Sequence, residues 1–261
     1  GQDTMVLTEN GKKLELYLEK LTGLPIEVTV PSSYVAVIEA LGSKRADVAI
    51  MNTFGYLVAN QKYGAVAALT GLNKGRDVYW GQIIARKDGP KSIKELNGKK
   101  FAFVDPSSGS GYVLPAKLLK DNGVQPKEVI FAGRHDSVVT MVYQKQVDAG
   151  ATYHTPAENG APQDARKLVK TQFPDVLDQV VILAKTAPIP NDPVVIRKDF
   201  PPELRKIMIQ AFKDLVKDPR GKKILYNLYH LDDFQDAKVE DYEKVQKILL
   251  DLGKSAQDLV K

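Results

Sequence analysis

Apolar positions along the chain recur in two alternating rhythms, one helical and one of period two. Leu14, Tyr17, Leu18 and Leu21 fall at helical spacing over Glu9–Leu21, and Gly23 follows as a stop. Ile26-Glu27-Val28-Thr29-Val30 then alternates as a strand does. Pro31-Ser32-Ser33-Tyr34 reads as a turn, Val35–Leu41 as a short helix, and Asp47–Met51 as a second strand. Asn52-Thr53 is placed to cap a helix carrying Phe54, Leu57 and Val58. Strands are expected near Ala65–Leu69 and Val78–Ala85, after which Gly89-Pro90 breaks the chain and Ile93–Leu96 forms a helical turn.

The order then begins again. Lys100–Val104 predicts a strand, Val113–Asn122 a helix, Val129–Phe131 a strand, Ser137–Tyr143 a helix and Ala149–Tyr153 a strand. Val180–Ala184 and Val194–Arg197 add strands. Leu204, Ile207, Met208, Ala211, Phe212 and Leu215 form one helical stripe, and Tyr242–Leu252 carries another. Strands alternating with helices predict mainly parallel sheets covered on both faces.

A weak internal repeat underlies that order. When Val28 is laid on Val129, Val37-Ile38 falls on Val138-Val139, Leu41 on Val142, Lys44 on Lys145 and Asp47 on Asp148. Tyr34 then corresponds to His135, so both are expected at equivalent strand ends, where open parallel sheets bind ligands. In the second copy the strand Lys100–Val104 comes first, and the first copy has no counterpart. A short apolar strand is therefore expected upstream of Gly1, with Gly1-Gln2-Asp3-Thr4 as the loop leaving it.

Composition narrows the classes. The chain has 261 residues, 43% hydrophobic and 26% charged, enough for two lobes and ordinary for a globular protein. No apolar run approaches the ~20 residues of a membrane span. With no cysteine, thiolate metal sites, thiol catalysis and disulfides are excluded. The net charge of +5 is spread among interleaved acids, as in Lys12, Lys13, Glu15, Glu19 and Lys20, so nucleic-acid binding is not expected.

One stretch carries candidate chemistry: Asp105-Pro106-Ser107-Ser108-Gly109-Ser110-Gly111, between a predicted strand and a predicted helix. Glycines let backbone N–H groups approach a ligand, serines add donors, and a helix start favours an anion. An ordinary capping turn uses the same residue types, so spacing alone leaves both readings open. Catalysis fits less well. The loop lacks the Lys-Ser/Thr ending of a P-loop, and Ser108-Gly109-Ser110-Gly111 is one residue off the hydrolase Gly-x-Ser-x-Gly elbow. The three histidines, His135, His154 and His230, have no zinc-site spacing, and neither metal nor cofactor is expected.

With both copies placed, the sequence resembles the phosphonate/phosphite/phosphate-binding proteins of bacterial ABC importers. The resemblance rests on Pro31–Ala40, Lys44–Val48, the Asp105–Pro115 loop, Gly133-Arg134-His135-Asp136-Ser137-Val138, Gln146–Ala151 and Ile189-Pro190-Asn191-Asp192-Pro193. It implies an α/β fold of the type II periplasmic-binding-protein class: two lobes, mainly parallel sheets, and a hinge of two crossovers. One lobe would comprise 1–85 plus 188–261 and the other 86–187. Ser108, Gly109, Ser110 and His135 would hold the anion, Tyr34 and Tyr79 would contact it from the opposing lobe, and Asp192 would meet a ligand ammonium. Thr53 would donate from a second helix start, Trp80 would pack at the hinge, and Glu158 would lie on a helix surface.

The implied function is capture of a small alkylphosphonate, with 2-aminoethylphosphonate as one candidate, or of phosphite, for import. The implied partners are the permease and ATPase subunits of the importer. A monomer in the periplasm, or an extracytoplasmic lipid-anchored protein, is expected. The alternatives are a phosphonate- or phosphate-handling enzyme and the ligand-sensing domain of a receptor.

Overall fold

The computed structural model describes residues 4–31, 33–255 and 258, without the side chains of 4–6 and 34. The chain divides into two compact units. One comprises the sequence up to Val78 and Pro190–Lys244; the other comprises Tyr79–Ile189 and a stretch beginning at Val245.

The first unit opens with α1 (Thr4–Thr22), α2 (Tyr34–Gly42), β1 (Val48–Ile50), α3 (Thr53–Tyr63) and β2 (Val66–Leu72). The chain then builds the second unit from β3 (Val78–Arg86), β4 (Lys100–Phe103), α4 (Leu114–Asp121), β5 (Glu128–Phe131), α5 (His135–Tyr143), β6 (Ala149–His154), α6 (Val176–Gln179) and β7 (Val180–Pro190). It returns to the first with β8 (Pro193–Ile196), α7 (Pro202–Leu215), α8 (Pro219–Tyr229) and β9 (Asp233–Asp236), and closes with α9 (Val239–Asp251).

The first sheet has the order β1-β8-β2-β9 and the second β5-β4-β6-β3-β7. In the first, β8 runs antiparallel to β1 and β2, and β9 antiparallel to β2. In the second, β4 is parallel to β5 and β6, whereas β3 is antiparallel to β6. The expected mainly parallel sheets are thus mixed. Helical crossovers join β4 to β5 and β5 to β6, and likewise the parallel strands β1 and β2, and β8 and β9, of the first sheet. β3, by which the chain enters the second sheet, runs antiparallel to β6, and β8, by which it returns to the first, runs antiparallel to β1 and β2.

The expected boundary at 85/86 moves for the same reason. Trp80–Ala85 pair with Ala149–His154, which ties β3 into the second sheet and places the division after Val78.

Ile26–Val30 forms no strand, despite its alternation. The N–H groups of Ile26 and Val28 donate instead to the carboxylates of Glu19 (3.2 Å) and Glu15 (2.9 Å) on α1, and no strand pairs with this segment among the described residues. Thr4 begins α1, and the rest of the expected Gly1–Thr4 loop lies outside the described residues.

Alternation along β4 distributes the second core. Phe101 and Phe103 pack with Leu119 and Val124 on one face; Ala102 and Val104 pack with Val138, Val139 and Val142 on the other. In the first unit Leu14 and Leu18 of α1 meet Leu69, Val194, Ile196, Phe212 and Leu225. No described helix is long and apolar enough to cross a membrane.

Candidate functional site

Because β4, β5 and β6 are parallel, the chain leaves all three at one edge of the second sheet. The serine loop follows β4, His135 follows β5, and Tyr153-His154 end β6.

The loop is held by its own polar groups. Ser107 binds Asp105 Oδ1 through both its N–H (2.8 Å) and its hydroxyl (2.5 Å), so it is spent on the turn. Ser108 is the N-cap: its backbone is extended and its Oγ accepts from Gly111 N–H at 3.0 Å, which leaves the hydroxyl hydrogen to donate outward. Gly109–Val113 form a π-helical turn that runs into α4. The first amides of such a helix have no partner within it, and those of Gly109 and Ser110 make no hydrogen bond among the described residues. Ser110 is buried.

Two glycines allow the loop to sit this low. A Cβ on Gly111 would lie 2.4 Å from Val104 Cγ2, and one on Gly81 of β3 would lie 2.8 Å from the Ser110 carbonyl oxygen. Gly81 is in turn the cross-strand partner of Tyr153. Tyr153 N–H donates to His135 Nδ1 at 3.3 Å, and the two rings meet edge-on with centroids 5.0 Å apart. Ser110, Tyr153 and His135 are thereby joined through contacts within one unit. With Nδ1 accepting, the ring proton of His135 is on Nε2, a donor. His135 keeps some exposed surface, but burial of its ring pushes its pKa down to about 4, so it is neutral at pH 7. The adjacent Arg134 is paired with Asp136 at 3.0 Å.

In the first unit Thr53 and Asp192 fall close together in the fold. Thr53 opens α3 and is buried, with its hydroxyl donating to Pro190 O at 2.8 Å. The hydroxyl hydrogen is therefore taken, and the backbone N–H at the helix start remains. Asn191 secures the turn: its side chain donates to Gly71 O (3.1 Å) and Arg76 O (2.9 Å) and its N–H to Asp77 O (2.8 Å). Asp192 contributes its carbonyl, to Gly71 N–H, while its carboxylate has no hydrogen bond among the described residues. Part of the residue reaches the surface, yet burial of the carboxylate pushes its pKa up to about 6. Burial raises the phenols of Tyr229, to about 12, and of Tyr242, and the Asp192 charge adds a smaller push to each; the Tyr242 hydroxyl is 2.7 Å from Thr70 Oγ1.

Tyr79 corrects its expected place: it is the second residue of β3 and belongs to the second unit, not the first. The side chain of Tyr34 lies outside what is described; the residue opens α2, capped by Ser33 Oγ accepting from Ala36 N–H at 3.2 Å. Trp80 packs edge-on against His154, with centroids 6.3 Å apart. Glu158 is in a turn bonded twice to Ala161 through the backbone, not on a helix. Sequence reasoning missed Tyr229, Tyr242 and His154, each of which sits in an otherwise ordinary helix or strand pattern. Among the described residues, no group of three or more His, Cys, Asp or Glu could hold a metal ion.

Residues 2–242 match the protein family described as ABC transporter, phosphonate, periplasmic substrate-binding protein. The chain is 33% identical over 154 residues to the phosphate-import protein PhnD of Mycolicibacterium smegmatis, covering 53% of this chain and 48% of that protein. It is 28% identical over 221 residues to the phosphonates-binding periplasmic protein of Escherichia coli, covering 81% and 62%. The chain thus spans under two thirds of the length of these relatives.

Among solved structures, PhnD1 of Prochlorococcus marinus in complex with methylphosphonate gives a TM-score of 0.74 at 18% identity, over 97% of this chain and 95% of that one. XAC2383 of Xanthomonas citri bound to ATP gives 0.78 at 20% identity, over 97% and 96%. These likenesses establish the fold, the type II class of periplasmic binding proteins. Family match and fold agree along the sequence, and the chain belongs to the periplasmic substrate-binding proteins of phosphonate ABC transporters.

Proposed function

We propose that this protein captures a small phosphonate outside the cytoplasm and delivers it to the permease and ATPase subunits of an importer. The observation that carries the reading is the convergence of donors at one sheet edge: the amides of Gly109 and Ser110, the Ser108 hydroxyl and the neutral Nε2–H of His135. A phosphonate supplies several acceptor oxygens, and charge-assisted bonds to such donors are short and strong. Phosphite and phosphate present the same oxygens, so the ligand's other end decides among them. Asp192 is the candidate for that end: an unpartnered, desolvated carboxylate suits an ammonium, as in 2-aminoethylphosphonate, and opposes a dianion. Tyr34, Tyr79 and the amide of Thr53 are the remaining candidate contacts.

Binding would populate a closed form that the permease recognises. Calorimetric titration with 2-aminoethylphosphonate, methylphosphonate, phosphite and phosphate tests this. Binding of one or more, weakened by Ser108→Ala and by His135→Ala by about 1–3 kcal/mol each, is expected. Unchanged affinity in both variants would remove the proposed anion site. Asp192→Asn should harm 2-aminoethylphosphonate far more than methylphosphonate, and equal losses would reject the amine role.

A further inference from the structure

Two histidines stand at the carboxyl edge of the second sheet, and their partners impose opposite tautomers. His135 accepts at Nδ1 from Tyr153 N–H and so carries its proton on Nε2. His154 is set the other way by Gln82. The Gln82 side-chain amide donates to Thr152 Oγ1 (3.1 Å) and to Asp164 Oδ1 (3.0 Å). A carboxylate only accepts, so the NH2 group of Gln82 must face Asp164 and its Oε1 must face His154. That oxygen lies 2.9 Å from His154 Nδ1, which must therefore hold the proton. Nε2 is left with a lone pair, and no described residue bonds it.

The arrangement is built rather than incidental. Relative exposures are 6% for His154, 0% for Gln82 and 2% for Asp164. Arg166 grips Asp164 through Nε (2.8 Å) and Nη2 (2.9 Å) and donates to Val180 O at 2.8 Å, which ties the network to β7. Burial lowers the pKa of His154, as do Lys185 on β7 and Arg166, while Asp164 opposes them. Burial and the two cations therefore favour the neutral ring, the form that accepts at Nε2.

Resting on the phosphonate reading above, we propose that His154 Nε2 selects among ligands by accepting a hydrogen bond from a donor that the bound anion carries. His154 is the last residue of β6, so it stands at the sheet edge from which the serine loop follows β4 and His135 follows β5. A fully ionised phosphonate has only acceptors and meets a lone pair there. A singly protonated phosphonate offers P–OH, and an aminophosphonate offers N–H as well. One group at this edge donates and one accepts, which suits a ligand bearing both functions.

The test compares the full-length chain with His154→Leu by calorimetry, using methylphosphonate and 2-aminoethylphosphonate from mildly acidic to mildly alkaline pH. For methylphosphonate the donor is P–OH alone, so wild-type affinity should fall as the ligand loses its second proton. The variant should bind roughly ten- to a hundredfold more weakly in acid and lose that pH dependence. A loss confined to 2-aminoethylphosphonate supports the proposal with N–H as the donor.

The imidazole nitrogen NMR spectrum of the wild-type protein gives a second reading that needs no variant. It should show a lone pair on His154 Nε2 and on His135 Nδ1, and the His154 Nε2 signal should move when methylphosphonate or 2-aminoethylphosphonate saturates the site. Wild-type binding of both ligands with a silent His154 signal, or a folded variant with wild-type affinities and pH profile, overturns this inference alone. Failure of the wild-type chain to bind any phosphonate overturns the function proposed above and this inference with it.

Discussion

The segments Tyr34–Ile50 and His135–Ala151 are built alike and placed differently. Each begins with a nine-residue helix, α2 or α5. Each then turns through a lysine in the left-handed region, Lys44 and Lys145, both at φ 62°. In each a backbone bond of 2.9 Å closes the turn, from Arg45 to Ala40 and from Gln146 to Met141. An aspartate, Asp47 or Asp148, then precedes the strand.

There the likeness ends. β6 lies between β4 and β3, whereas β1 pairs with β8 alone among the described residues. The bonds Arg197 N–H to Asp47 O and Met51 N–H to Pro193 O put Val48 and Ile50 in the register positions whose backbone groups face away from β8. The helix starts differ too, since Ser33 caps α2 and no side chain caps α5. Local sequence wrote the helix, turn and strand twice; the neighbours decided what each copy packs against and which one leaves donors open.

The sharpest way to break the comparison is at the matched positions Ala49 and Gly150. A Cβ on Gly150 would lie 2.5 Å from Val138 Cγ1 and 3.1 Å from the Ala102 carbonyl oxygen, contacts that its central strand creates. Gly150→Ala should therefore destabilise by about 1–3 kcal/mol through overpacking, against no more than about 1 kcal/mol for Ala49→Gly. Denaturant midpoints of the two variants check this, and equal losses would show that the strand environments do not differ as described.

Next in size is a contrast of titrations between the units. Burial raises Asp192 to about 6 and lowers His135 to about 4. The folded state holds the Asp192 proton more tightly than the unfolded chain does, so this stability is present at low pH and lost as pH rises through about 6. For His135 the sign reverses: stability is present above its usual value near 6.5 and lost as pH falls toward about 4. Asp192→Asn should stabilise the protein at neutral pH by on the order of 1–3 kcal/mol and have little effect in acid. Melting temperatures measured across pH decide it; a variant less stable at neutral pH would contradict the desolvated carboxylate.

A smaller difference is expected at the matched aspartates. Asp148 accepts from Lys100 N–H of β4 at 2.8 Å, and Asp47 accepts from the Arg197 side chain at 2.7 Å. Asp148→Ala strips a strand amide and should cost about 1–2 kcal/mol, while Asp47→Ala loses an ion pair worth about 0.2–1 kcal/mol. Urea titrations giving the opposite order would reject this reading of the two strand starts.

The smallest effect sharpens the likeness instead. Lys44→Gly and Lys145→Gly relieve the same left-handed strain, with exposed ion pairs to Asp199 and Asp88 lost in each case. Their stability changes should agree and stay within about 1 kcal/mol. A large disagreement would mean that the two turns are not equivalent.

The sequence by itself determined what depends on residues near one another in the chain. The helical stripes of α7 and α9, the strand cores of β4 and β5, the repeat and the serine loop between β4 and α4 were legible because periodicity and turn chemistry act within a few residues. Family motifs carried the candidate site, whose Ser108–Ser110 and His135 lie within one unit.

Only the tertiary structure decided what depends on distant partners. It gave the alternating Ile26–Val30 the side chains of α1 in place of a strand, and put Val78–Ala85 into the second sheet through pairing with β6. It spent the Thr53 hydroxyl on Pro190 and left the Asp192 carboxylate bare beside Asn191. It also set the two histidine tautomers through Tyr153 and Gln82. A side chain's hydrogen-bond capacity is written in its residue type; which part of it remains for a ligand is known only when every buried neighbour has taken its share.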